Sequence, residues 1–101
     1  MLRNHGAAFC GASIEEAFFW LETFMTAVRT QHVAMSAANG VDGLVVPPQR
    51  VVDQISMVLK SGVNQCSADG IEWGIGEMEF EAEMRSLDRG GFSTGYSFKK
   101  E

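Results

Sequence analysis

No run in this 101-residue chain is long and apolar enough to cross a bilayer. The most apolar stretch, Ala17 to Val28, is broken by Glu22, Thr23 and Thr26, whereas a spanning helix needs about 20 mostly apolar residues. The opening residues Met1-Leu2-Arg3-Asn4-His5 lack the build of a secretory signal. Cysteine is scarce. Cys10 and Cys66 form no CxxC pair and read as free thiols of a reducing compartment. Basic charge is in deficit, with 8 basic against 13 acidic residues and a net charge of -5, so phosphate backbones are repelled and nucleic acid is a poor partner. There is no internal repeat and no low-complexity tract. What remains, 46% hydrophobic and 21% charged residues, is the composition of an ordinary folded domain at the length of one small unit. These readings point to a cytosolic protein, or at most a peripheral one.

Hydrophobic spacing organises the chain. Residues 1–5 and 7–12 read as two short extended segments around Gly6, although Ala7 and Ala8 add little strand preference. Ser13-Ile14-Glu15-Glu16 forms a capping box: the Ser13 hydroxyl accepts from the Glu16 N–H, and the Glu16 carboxylate accepts from the Ser13 N–H. Ala17, Phe18, Leu21, Met25, Val28, His32 and Met35 then recur at helical spacing in one apolar stripe. Phe19, Trp20 and Phe24 widen it well past one face. Asn39-Gly40 tolerates positive φ and stops the helix, so the pattern predicts one long helix from 14 to about 38. Val41 to Val46 read as a loop, and Pro47-Pro48 marks a turn and a helix start. Val51, Val52, Ile55, Val58 and Leu59 place a helix over 49–60, ended by Gly62. A polar linker follows over 62–70. Past the Trp73 segment, Glu77 to Arg89 predicts an amphipathic helix with Phe80, Met84 and Leu87 on one side and Gly90-Gly91 as its stop. The tail from Phe92 alternates aromatic and small residues and ends in Lys99-Lys100-Glu101.

Two short strands and three helices leave a wide apolar helix with no sheet to lie on, because a lone hairpin offers little surface. The pattern therefore predicts a folding unit that begins upstream of Met1, with the remaining strands supplied from there. Burying a Leu- or Phe-sized side chain is worth roughly 1.5–3 kcal/mol. An uncovered face over 17–35 thus predicts partial folding or aggregation for the chain alone.

Residues able to carry chemistry are few. His5, in Arg3-Asn4-His5-Gly6, has the chemistry of a metal ligand or general base, set against a polar role at a strand-to-turn junction. A catalytic zinc needs three protein ligands. The other histidine, His32, lies on the apolar stripe, where a core or half-buried role is the simpler reading. Cys10, in Ala8-Phe9-Cys10-Gly11, has no base in reach and reads as an inert small hydrophobe; Cys66 reads as an exposed linker thiol. Ser13 is a helix cap rather than a catalytic hydroxyl. Glu77, Glu79, Glu81 and Glu83 alternate, diverge around a helix and read as a solvated face that complements the helix dipole, without the spacing of a calcium loop. Gly74-Ile75-Gly76 is too short for a phosphate loop. Trp73 and Tyr96 are candidate anchors for a partner, with burial in the same domain as the simpler use. No residue is assigned a catalytic, cofactor-binding or metal-binding role, and no cofactor is expected.

Two stretches carry a resemblance. Arg3-Asn4-His5-Gly6 followed by Gly11-Ala12-Ser13-Ile14-Glu15-Glu16-Ala17-Phe18 resembles the class II aldolase and adducin head family, with its Asn-His-Gly turn and Gly-x-Ser-x-x-Glu-Ala helix entry. Trp73 to Asp88, with Thr94-Gly95-Tyr96, is similar to the end of the adducin head, and Arg29-Thr30-Gln31 also fits. The resemblance implies an α/β fold: the C-terminal fragment of a class II aldolase-like three-layer α/β/α domain, helix-rich in this chain. Residues 1–61 would close the head core, 62–70 would link, and 71–101 would form the adducin-type extension. It further implies a non-catalytic cytoskeletal interaction module of the cytoplasm. Such a module associates with actin filaments and spectrin at the inner face of the plasma membrane, and it self-associates with other subunits through the head. The alternative is a fragment of a zinc-dependent class II aldolase or epimerase acting on sugar phosphates. There the Asn-His-Gly histidine, at His5, is the third zinc ligand, but the family's upstream His-x-His pair and acid–base Glu have no counterpart in this sequence. Lys99-Lys100 does not replace the family's polybasic tail.

Overall fold

The computed structural model of the chain describes residues 1–60 and 70–99. Ser13, in extended backbone, caps α1 (Ile14–Ala37), and its Oγ accepts from the Glu16 N–H at 3.1 Å. The returning half of the capping box is displaced by one residue. The Glu16 carboxylate accepts from the Ala12 N–H at 2.7 Å, while its second oxygen takes the Trp20 indole N–H at 3.2 Å. The helix stops where expected. Asn39 takes a left-handed φ of 57°, and the Gly40 N–H (φ 117°) returns to the Met35 carbonyl at 2.9 Å, closing one of the carbonyls orphaned by the last turn.

A single 3-10 turn, Val41–Gly43, leads to Pro47-Pro48 and α2 (Gln49–Lys60). The Pro48 carbonyl accepts from the Val51 N–H at 2.9 Å. The helix stop at Gly62 and the linker with Cys66 lie outside the described residues. α3 (Glu77–Arg89) carries Glu77 and Glu79 in its first turn and Arg89 in its last, the charge order favoured by the helix dipole.

The two expected strands do not form; the described residues contain three α-helices and no sheet. Leu2 and Gly6 make one isolated antiparallel bridge, with the Leu2 N–H donating to the Gly6 carbonyl at 2.7 Å. Asn4 (φ 61°) and Gly6 (φ 94°) turn the chain back within five residues, which leaves arms too short for a ladder. Residues 7–12 have no regular structure. They are pinned to α1 by Phe9, whose ring lies 5.3 Å from that of Phe24.

The main packing among the described residues is α1 against α3. Their crossing depends on Gly76, which is buried and left-handed at φ 75°. A Cβ there would lie 2.5 Å from the Glu15 carbonyl oxygen and 2.6 Å from the Phe19 Cβ. Little else is enclosed. Trp73, 8% exposed, is the buried apolar residue, and no residue of α1 is fully buried. The radius of gyration is 17.1 Å, against roughly 13 Å for a compact domain of 100 residues. The accessible surface is 8136 Å² for 11.0 kDa, where a folded monomer of that mass exposes about 5,600 Å². The chain thus holds far more surface open than a self-contained domain does.

Candidate interaction site

The tail folds back along α3, and this fold-back builds the most elaborate polar cluster of the molecule. At the far end of α3 the Phe92 N–H donates to the Leu87 carbonyl at 3.0 Å, and the Thr94 N–H donates to Asp88 Oδ1 at 2.7 Å. Tyr96 then stacks edge-on between Phe80 (5.5 Å) and Phe98 (5.4 Å), while Phe80 meets Phe18 of α1 at 5.4 Å. The Tyr96 hydroxyl reaches Glu15 at 3.4 Å. Partial burial first, and the Glu15 charge second, push the Tyr96 hydroxyl above its ordinary pKa. The Arg85 guanidinium lies 4.3 Å over the Phe98 ring.

The run ends in a charged clasp. Glu81 is only 3% exposed. One of its oxygens takes Arg85 at 2.6 Å, and the other accepts from the Lys99 N–H at 2.9 Å. Charge-assisted bonds to both oxygens offset the cost of burying that carboxylate. Lys99 Nζ pairs with Glu77, donates to the Glu72 carbonyl at 3.1 Å and lies 5.6 Å from the Trp73 ring centre, within reach of a cation–π contact. Glu77 also accepts from the Gly74 N–H at 2.5 Å. The Lys99 hydrogen bond first and the Gly74 N–H second hold its carboxyl below the usual range, against the opposing effect of partial burial.

These positions correct several expectations. The four glutamates do not share one solvated face: Glu79 and Glu83 are exposed, whereas Glu77 and Glu81 belong to the clasp. His32 is exposed rather than half-buried, because nothing among the described residues covers that part of α1. Cys10 is likewise exposed rather than a packed hydrophobe. His5 is exposed, its Nδ1 2.8 Å from the Arg3 carbonyl. Trp73 and Tyr96 do pack within the chain. Lys99, Arg85 and Glu81 were missed as a unit. The i, i+4 spacing of Glu81 and Arg85 was a readable signal, but the return of the tail to meet them was not.

Among the described residues, no three His, Cys, Asp or Glu side chains are grouped so as to hold a metal ion. No helix among the described residues is long and apolar enough to cross a membrane. The cavity between Trp73, Phe19, Leu59 and Met78 is about 80 Å³, well short of the roughly 300 Å³ at which small-molecule sites begin. Larger open surfaces lie elsewhere. One is a groove between α1 and α3. The other is the apolar side of α2, where Val52 (42% exposed) and Ile55 (55%) stand clear of a core.

The aromatic seam and its charged clasp define a small helical scaffold with open apolar faces. Along nearly its whole length the chain is similar to the adducins. It is 37% identical to mouse gamma-adducin and 36% to rat alpha-adducin, each match covering 98% of the chain. Human beta-adducin is 33% identical over the same share. The chain spans about 14% of the length of these relatives. No family model and no solved structure matches it.

Proposed function

We propose that the chain serves as part of a non-catalytic cytoskeletal interaction module, the C-terminal part of an adducin-type head. In this reading 1–61 close an aldolase-like core, 62–70 link, and 71–101 extend it. The module associates with actin filaments and spectrin at the inner face of the plasma membrane and self-associates with like subunits. The observation that carries this is the likeness to alpha-, beta- and gamma-adducins along 98% of the chain. The open apolar faces of α1 and α2 support it physically, since apolar area left in water favours association. The zinc-dependent aldolase alternative has no comparable support, since the relatives matched along the chain are adducins.

Co-sedimentation with actin filaments and with spectrin tests the reading, alongside sedimentation velocity for self-association. Pelleting with either filament system, together with a concentration-dependent oligomer, supports it. A chain that pellets with neither and stays monomeric at tens of micromolar refutes it.

A further inference from the structure

We infer that the groove between α1 and α3 is a docking site for a basic amphipathic segment of a partner protein. Its floor is apolar: the half-buried rings of Phe18 and Phe19, flanked by Thr23 and Thr26. Its rim is acidic, with Glu22 on α1 facing Glu79 and Glu83 on α3. No basic residue lines it.

The charges of α3 are sorted by side. Glu77 and Glu81 turn toward the tail, where Lys99 and Arg85 meet them. Glu79 and Glu83 turn toward the groove, and neither carboxylate has an ion pair or hydrogen bond among the described residues. They stand one helical turn apart, a spacing at which like charges destabilise a helix. Glu22 adds a third carboxylate from across the floor. Such a rim is unfavourable when the groove is empty and favourable when cations enter it.

The complement follows from this shape. An apolar or aromatic side chain enters above Phe18 and Phe19. Lys or Arg residues one turn apart flank it and meet Glu79 and Glu83, and a further cation reaches Glu22. A helix laid in a groove presents that pattern at i, i+3 and i+4. The net charge of -5 adds a long-range pull on a cationic partner. This inference does not depend on the actin and spectrin reading, because peptide binding and filament co-sedimentation are separate measurements.

The test is fluorescence anisotropy of a labelled helical peptide of Leu and Lys at amphipathic spacing, titrated with the chain. Two comparators are a Leu/Glu peptide of the same pattern and a Gly/Lys peptide with the same charge and no apolar face. The Leu/Lys peptide is expected to bind at least about tenfold tighter than either and to weaken as salt rises. Glu79→Gln with Glu83→Gln should lower its affinity about tenfold and leave circular dichroism unchanged. Asp42→Asn, the loss of one negative charge away from the groove, should have no effect. Equal binding of the Gly/Lys peptide, or an equal loss from Asp42→Asn, would reduce the effect to bulk charge and overturn the inference. A peptide that fails to bind, together with a Thr26→Arg variant that dissolves an oligomer of the chain, would assign the groove to a second copy and overturn it too.

Discussion

Glu77, Glu79, Glu81 and Glu83 share a residue type and a helix, yet they divide into two pairs of opposite fate. Glu81 is buried and bonded at both oxygens, so Glu81→Gln exchanges a charge-assisted pair for a weaker neutral contact. The expected loss is about 1.5–3 kcal/mol, read from urea denaturation. Glu79→Gln, on the open side, should stay within about 0.5 kcal/mol of the parent. Equal effects at the two positions would contradict the burial of Glu81. Glu77 brings a pH dependence. Its folded-state pKa lies below the ordinary carboxylate value, so its stabilisation is fully present above that value and is lost as pH falls through the lowered folded-state pKa. The clasp should therefore persist at neutral pH and loosen below about pH 4. Because Lys99 lies against the Trp73 ring, indole fluorescence should report the loosening. Lys99→Met should remove the transition; a transition that survives this change would place its cause elsewhere.

At the scale of elements, α1, α2 and α3 lie where periodicity, capping and stop signals put them. Ser13 opens α1, Asn39-Gly40 closes it, Pro47-Pro48 precedes α2, and Gly90-Gly91 ends α3. These signals are local, acting within a turn or two, and so one sequence suffices to read them. The strands were another matter. A strand exists only where a second strand pairs with it, and the turn at Asn4 and Gly6 leaves no room for one. The α1–α3 crossing is the element-level feature most exposed to a single change. Gly76→Ala must hold a left-handed φ and place a methyl against the Glu15 carbonyl and Phe19. A loss of about 1–3 kcal/mol from the backbone alone, and more from the clash, should appear as a lower denaturation midpoint. A neutral result would mean that the helices do not cross there.

The whole molecule is dominated by what it leaves uncovered. A radius of gyration of 17.1 Å and a surface of 8136 Å² describe a chain whose apolar faces exceed its own means of burying them. The exposed side of α2 is the plainest case. Ile55→Glu should shift an oligomer of the chain toward monomer in sedimentation velocity without reducing helix content. An unchanged distribution would clear α2 of a role in assembly. The expectation that the chain alone folds partially or aggregates rests on the same surplus area.

By itself the sequence determined the three helices, their ends, the aromatic character of the tail and the likeness to adducins, because each resides in neighbouring residues or in an ordered string of them. Only the tertiary structure decided which glutamates are buried and which are free, that Lys99 closes on Trp73 and Glu77, and that His32 and Cys10 face solvent. The reason is physical. Helical period sets the direction of a side chain, but what that side chain meets depends on segments far away in sequence, and the return of residues 92–99 along α3 is set by bonds that span up to 81 positions.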